Sequence, residues 1–126
     1  TDEEHYSSLE KLASGREIEG VIVDPSAASF IQCITRHGKY RAIPAKNQVI
    51  DGIRLVSDAL LQKKIKFSPL CRDSIREFSL YRWDTSSSKD NVRKENDHAM
   101  DDIRYFVSTV LTKPENEFFV LSTERR

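Results

Sequence analysis

The chain alternates between segments with helical spacing of apolar residues and short runs that are apolar throughout. Val21-Ile22-Val23 is such a run, and three consecutive β-branched residues are typical of a strand buried on both faces of a sheet. Asp24-Pro25 follows and predicts a turn, because proline disfavours helix at the residue before it. The periodicity predicts helices over 5–14, 27–37, 47–64, 71–84 and 96–111, and short extended segments over 40–44 and 65–67.

Local signals predict where these segments begin and end. Asn47 and Asn96 are the predicted N-caps of the third and fifth helices, and Gly38 is the predicted C-terminal stop of the second. The serine-rich residues 85–91 are predicted to form a flexible loop. Helices that alternate with short strands predict an α/β layered fold, and 126 residues suit a single domain.

Composition excludes several classes of protein. The 20 Lys and Arg residues balance 20 Asp and Glu residues, which argues against a histone-like DNA binder. No apolar run approaches the roughly 20 residues that span a bilayer, and the acidic start of the chain is unlike a signal peptide. We therefore expect a soluble, intracellular domain with no membrane partner. Cys33 and Cys71 are too few for a four-cysteine zinc site and are predicted to be reduced thiols.

Known nucleotide and nucleophile motifs do not fit the sequence. Gly15 and Gly20 have the spacing of a P-loop, but Val21 and Ile22 stand where Lys and Ser or Thr are required. No serine lies in a Gly-x-Ser-x-Gly elbow, and neither cysteine has a nucleophile signature. The remaining candidates for chemistry are carboxylates.

Asp24 is the first of these, because it ends a buried strand immediately before a helix. Ligands of open α/β sheets bind outside the carboxyl ends of the strands, where a carboxylate can point at a substrate or a metal. The alternative is that Asp24 only caps the following helix or begins the turn. The residue pattern alone favours this alternative.

The second candidate is the segment Asp97-His98-Ala99-Met100-Asp101-Asp102 at the start of the last helix. His98 lies three residues from Asp101 and four from Asp102, so all three share a helix face opposite the apolar stripe. A histidine and a carboxylate at this spacing can share a divalent ion, and Mg²⁺ or Mn²⁺ prefer carboxylate oxygens. The alternative is a solvated acidic first turn that suits the helix dipole. Spacing does not choose between Asp101 and Asp102.

A carboxylate at a strand end and another on a late helix suggest a two-metal site that cleaves phosphodiesters. Such sites normally hold three or more carboxylates, because two ions bring four positive charges. This chain offers two good candidates and no convincing third.

Four segments occur in the order of motifs in a known family. They are Val21-Ile22-Val23-Asp24-Pro25-Ser26-Ala27, Val49-Ile50-Asp51-Gly52-Ile53-Arg54, Tyr81-Arg82-Trp83-Asp84 and Lys94-Glu95-Asn96-Asp97-His98-Ala99-Met100-Asp101-Asp102-Ile103-Arg104-Tyr105. Together they resemble the nuclease domain of phage terminase large subunits, and within that family the PBSX-like group. The last segment is long and specific, whereas the others are short.

The resemblance implies an RNase H-like fold, with a mixed central sheet flanked by helices, and a catalytic site that holds two Mg²⁺ or Mn²⁺ ions. It implies that Asp24 and Asp101 are metal ligands and that His98 lies at the metal site, so that it selects Asp101 over Asp102. The implied activity is endonucleolytic hydrolysis of double-stranded DNA during genome packaging. It further implies action in the cytoplasm of a bacterial host, with an ATPase motor domain, a small terminase subunit and a portal as partners.

In the family, another catalytic aspartate lies on an opening strand before the first helix. This chain begins at about that helix, so we expect residues 1–126 to be the C-terminal portion of the nuclease domain. A sheet without its first strands would expose an edge, which predicts dimerisation through that edge.

Basic residues around the predicted loop are candidates for contacts with DNA phosphates. They are Lys89, Arg93 and Lys94, and the alternative is a solvated charged loop. For the whole chain, the competing hypothesis is a catalytically incomplete fragment or prophage remnant that acts as a docking or assembly module.

Overall fold

The structure, a computed structural model, describes residues 1–86 and 88–112. The helices are α1 (Asp2–Ala13), α2 (Ala28–His37), α3 (Val49–Leu61), α4 (Arg72–Leu80) and α5 (His98–Phe106), and the strands are β1 (Val21–Val23) and β2 (Ala42–Pro44). A π-helical turn over Val107–Leu111 continues α5. The chain divides into two compact units, Thr1–Asn47 and Gln48–Arg126. The single domain stays a prediction.

The first unit contains a parallel pair of strands and two helices. Val21 of β1 lies opposite Ala42 of β2, and the predicted strand over 21–23 is confirmed. The core of this unit joins Tyr6 of α1 and Val23 of β1 to Cys33 and Ile34 of α2. Gly38 ends α2 as predicted, with a φ of 70° that places it in the left-handed region where glycine carries no steric cost.

In the second unit, α5 packs against both α3 and α4. Gly52 of α3 allows this close approach, because a Cβ built there would lie 2.6 Å from Cγ of Arg104. The fully buried positions of α3 are Gly52 and Ala59. Apolar side chains of α3, α4 and α5 line a cavity of about 190 Å³. They are Ile53, Val56 and Leu60 of α3, Phe78 of α4, and Met100 and Ile103 of α5.

Two predicted helix caps are wrong. The N-cap of α3 is Gln48 instead of Asn47, and the N-cap of α5 is Asp97 instead of Asn96; neither side chain makes a capping hydrogen bond. Asn96 has a φ of 52°, in the left-handed region, whereas an N-cap is normally extended. The helix predicted to reach Leu111 does so, with its last turn π-helical.

Two further predictions, one helix end and one strand, differ from the structure. The helix predicted over 71–84 ends at Leu80, and Trp83 pairs with Val92 in an isolated antiparallel bridge. Residues 65–67 lie in the described part of the chain and form no strand. Trp83 and Val92 are nine residues apart, and the spacing of apolar residues along a helix does not predict such a pairing.

The α/β class is confirmed, since the described residues form five helices and a two-stranded parallel sheet. The RNase H-like topology stays a prediction. None of the described helices is long and apolar enough to cross a membrane.

Candidate functional site

Asp24 lies directly after the carboxyl end of β1. Its Oδ1 accepts hydrogen bonds from the backbone N–H of Ser26 and from the Ser26 hydroxyl, both at 2.9 Å. These bonds form the predicted turn. Ala27 is the N-cap of α2, and its backbone N–H donates to the carbonyl of Asp24 at 2.9 Å, so Asp24 opens the turn that leads from the end of β1 into the helix. This edge of a parallel sheet is where α/β proteins place ligands.

Asp101, in the first turn of α5, is held by an arginine one turn further along. Nη2 of Arg104 donates to Oδ1 of Asp101 at 3.1 Å. The Arg104 side chain is only 5% exposed, whereas that of Asp101 is 35% exposed. Nη1 of Arg104 also donates to the carbonyl of Gln48 at 3.4 Å, and its guanidinium lies 4.9 Å from the Tyr105 ring centroid. A buried and tethered cation therefore orients a carboxylate that still reaches solvent.

His98, Asp101 and Asp102 all lie on α5, whereas Asp24 belongs to the first unit. Among the described residues, the ligand atoms of the three α5 side chains do not form a set within 4.8 Å of one another. Partial burial first, and then the carboxylate of Asp101, raise the pKa of Asp102, while His98 acts in the opposite direction. Burial and the Asp101 carboxylate also raise the pKa of the Tyr81 hydroxyl, which follows α4. The charge of Asp101 thus strengthens proton binding at two neighbouring groups of the second unit.

A buried glutamate from α4 fixes the start of α5. Oε1 of Glu77 accepts the backbone N–H of Ala99 at 2.8 Å and that of Met100 at 3.3 Å. Glu77 is only 4% exposed. It supplies the cap that the Asp97 side chain does not, because the first N–H groups of a helix need an acceptor from outside the helix. The turn that carries His98 and Asp101 is therefore anchored to a neighbouring helix.

The donor set around Asp101 suits a hard divalent ion. A carboxylate has two oxygens with several lone pairs, so Asp101 can accept from Arg104 and still coordinate a metal. The Arg104 charge and the helix N-terminus both oppose a cation, and the neighbouring carboxylates of Asp97 and Asp102 offset them. Carboxylate oxygens with an exposed imidazole fit Mg²⁺ or Mn²⁺.

The predicted DNA-contacting residues lie in and just after the loop that the Trp83–Val92 bridge closes. Lys89 and Lys94 are exposed. Arg93 pairs with Glu95 at 3.2 Å and is therefore partly neutralised. The loop prediction for 85–91 is confirmed for the described positions, and Ser87 lies outside the described residues.

Comparisons with known proteins find similarity to phage large terminases. No protein-family model matches the chain. The terminase large subunit of Escherichia phage T5 is 24% identical over an alignment of 116 positions, and the match covers 87% of this chain. The large terminase of a thermophilic bacteriophage is 45% identical; its structure in complex with ADP matches 89% of this chain with a TM-score of 0.85, and its complex with ATP-gamma-S matches 88% with a TM-score of 0.84. The chain is homologous to phage large terminases.

The chain corresponds to a limited part of these proteins. It spans 26% of the length of the phage T5 protein and 29% of the chain from the thermophilic bacteriophage. The predicted resemblance to phage large terminases is confirmed. The assignment to their nuclease domain and to the PBSX-like group stays a prediction.

The sequence analysis missed the two residues that hold the first turn of α5. Arg104 lies within the last motif, but the motif assigns it no role, and its contact with Asp101 becomes visible only in the structure, where it is buried. Glu77 is 22 residues from Ala99, too far for any helical spacing to connect them. One signal was present: Asp97 is followed by no Glu or Gln at the third helical position, so the helix lacks a capping box of its own.

Proposed function

We propose that the chain is part of the nuclease domain of a phage large terminase and contributes to metal-dependent hydrolysis of double-stranded DNA. The observation that carries this proposal is the Asp-His-x-x-Asp turn of α5. Its carboxylate, Asp101, is oriented by the buried Arg104, and its backbone is anchored by the buried Glu77. Homology to phage large terminases supports a role in DNA packaging.

Asp24, Asp101 and His98 would hold Mg²⁺ or Mn²⁺ ions. Bound in pairs, such ions activate water and stabilise the leaving oxygen of a phosphodiester. Asp24 and Asp101 supply the negative charge that draws the ions in. His98, exposed on the first turn of α5, either ligates an ion or orients a water molecule. The support for these roles is the match of both motifs to the family and the position of each residue at a strand end or helix start.

Arg104 is a positioning residue in this scheme. Its ion pair with Asp101 fixes the position of Oδ1 of that carboxylate. The hydrogen bond from Arg104 to the carbonyl of Gln48 in turn fixes the guanidinium. The Asp101 side chain is thereby ordered before an ion binds. This favours ion binding, because the side chain loses less conformational entropy when the ion binds.

Phosphate contacts would come from Lys89 and Lys94, with a smaller contribution from Arg93 because Glu95 already neutralises part of its charge. In the whole protein we propose an ATPase motor domain, a small terminase subunit and a portal as partners, and action on phage DNA in the host cytoplasm. An RNase H-like, PBSX-type nuclease fold and pairing of chains through a sheet edge belong to the same proposal.

The test is cleavage of supercoiled plasmid DNA by this chain with Mn²⁺ or Mg²⁺. We expect nicked and linear products, which are lost on addition of a chelator and in the variants Asp24→Asn and Asp101→Asn. Asp73→Asn is the matched control, because Asp73 is 93% exposed on α4. Cleavage that survives in both site variants would contradict the assignment of the site.

A second candidate function is an assembly module without catalysis. One observation favours it: Asp101 is already paired with a buried arginine, and a two-metal site normally needs three or more carboxylates. A folded chain that binds double-stranded DNA but leaves it intact at every metal concentration would support this candidate over the nuclease.

A further inference from the structure

A second group of metal-binding side chains lies in the first unit, on α1 and α2. Glu3 of α1 faces Cys33 and His37 of α2, which are four residues apart and therefore on the same helix face. The carboxylate oxygen, the thiol sulfur and the imidazole nitrogen all lie within 4.8 Å of one another. None of the three residues belongs to the proposed nuclease site.

The distances in this Glu3–Cys33–His37 cluster resemble those around a tetrahedral zinc ion. Sγ of Cys33 lies 3.4 Å from Oε1 of Glu3, and Nε2 of His37 lies 2.9 Å from Oε2. Ligands at zinc bond lengths of about 2.0–2.3 Å in a tetrahedron are separated by about 3.3–3.6 Å. The Glu3–Cys33 distance lies in this range and the Glu3–His37 distance is shorter, while all three ligand atoms lie within 4.8 Å of one another. Movements on the order of an ångström would bring them to the separations of a zinc ligand set.

The surroundings fix two of the ligands and leave one side open. Cys33 is fully buried, and the Tyr6 ring stacks on the His37 ring with centroids 3.7 Å apart and planes within 4°. This stacking holds the imidazole in one orientation. The side chains of Glu3 and His37 are 62% and 37% exposed, so an ion can enter from solvent and bind water as its fourth ligand.

The charges in the cluster are compatible with a divalent ion. The Glu3 carboxylate and a Cys33 thiolate together carry two negative charges. Arg36 opposes binding, since its Nη2 lies 3.9 Å from Oε1 of Glu3. Burial, and then the hydrogen bond to Glu3, raise the pKa of the Cys33 thiol, so the metal has to displace its proton, as zinc does from a coordinating thiol.

We propose that Glu3, Cys33 and His37 bind Zn²⁺, with water as the fourth ligand, and that the ion ties α1 to α2. A thiolate and an imidazole select zinc over Mg²⁺. The site goes beyond the proposed nuclease function and shares no residue with it.

Titration of the full chain with Co²⁺, followed by absorption spectroscopy, tests this site. Cobalt takes zinc positions, and a thiolate-to-cobalt charge-transfer band arises only when a cysteine thiolate is a ligand. We expect this band in the parent chain, its loss on addition of Zn²⁺, and its absence in Cys33→Ser. Glu3→Gln and His37→Gln should each weaken Co²⁺ binding by more than about tenfold.

Cys71→Ser is the matched control, because Cys71 is exposed and lies in the other unit. Cys71→Ser should keep the charge-transfer band. His37→Gln should bind Mn²⁺ as tightly as the parent chain. Absence of the band in the parent chain at saturating Co²⁺ would overturn the proposal, as would a band lost in Cys71→Ser but kept in Cys33→Ser. Because Cys33→Ser alters a buried position, His37→Gln gives an independent test: a variant with parental circular dichroism that binds Co²⁺ as tightly as the parent also overturns the proposal.

Discussion

Asp101 and its neighbour Asp102 show what single residues contribute to this molecule. Helical spacing places both carboxylates beside His98 and does not distinguish them, and the choice of Asp101 rests on the family motif. In the structure the two differ: Asp101 pairs with the buried Arg104, whereas the pKa of Asp102 is raised by partial burial and by Asp101. The sequence pattern identifies Asp101 and Asp102 as candidate ligands. Their electrostatic surroundings differ because of tertiary packing, which the pattern does not predict.

The carboxyl of Asp84 makes a prediction about pH. The hydroxyl and then the backbone N–H of Ser86 donate to its Oδ1, at 2.6 and 3.0 Å, and hold its pKa below the usual range. A lowered pKa in the folded state means that Asp84 adds stability above its ordinary pKa of about 4, and that this stability is lost as the pH falls through the folded-state value.

We therefore expect Ser86→Ala to raise the pKa of Asp84 toward its ordinary value, because the stronger of the two donors is removed. The measurement is an NMR pH titration of the Asp84 carboxyl carbon. Ser88→Ala, in the same loop, is the control and should leave the titration unchanged. An Asp84 titration that is the same in Ser86→Ala and in the parent would refute this interpretation.

At the scale of elements, the periodic segments are predicted well and their ends are not. The five helices occur where the apolar spacing places them, although the buried residue of α4 is the charged Glu77. Local residue preference predicts Asn47 and Asn96 as the caps of α3 and α5. In the structure α5 is capped by Glu77 from another helix, a contact between residues 22 apart in sequence. Contacts of this length arise only once the helices have packed.

Glu77 gives the prediction at this scale. Glu77→Ala leaves two buried N–H groups of α5 without an acceptor, which should lower the free energy of unfolding by about 1–3 kcal/mol. Glu77→Gln keeps an acceptor oxygen and should lose less. Urea unfolding followed by circular dichroism measures both, with the exposed Asp73→Ala on the same helix expected within about 0.5 kcal/mol of the parent. Equal stability of Glu77→Ala and Asp73→Ala would show that this cap is dispensable.

For the whole molecule, the net charge is zero, so any DNA binding has to come from a local patch. The fold class follows from the alternation of helices and strands, and homology to phage large terminases follows from the motifs. The division into two compact units was not predicted, because the sequence around the boundary at residues 47–48 is not a proline- or glycine-rich linker.

The patch around Lys89 and Lys94 predicts a specific salt dependence. If both lysines contact phosphates, replacing them with Ala should reduce the slope of log affinity against log salt concentration by about 1.8. Fluorescence anisotropy with a labelled DNA duplex gives the slope. Arg93→Ala should change it less, since Glu95 is its partner. Replacing the exposed Lys63 and Lys64 is the control, and an equal change there would show that the effect is only one of net charge.

The central claim is that Asp24 and Asp101 bind the ions of a nuclease site, and a Mn²⁺ titration by calorimetry tests it most directly. We expect saturable binding by the parent chain, weakened by about tenfold or more in Asp24→Asn and in Asp101→Asn, and retained in Asp73→Asn, whose side chain is 93% exposed. Mn²⁺ binding that is the same in the parent and in both site variants would contradict the account.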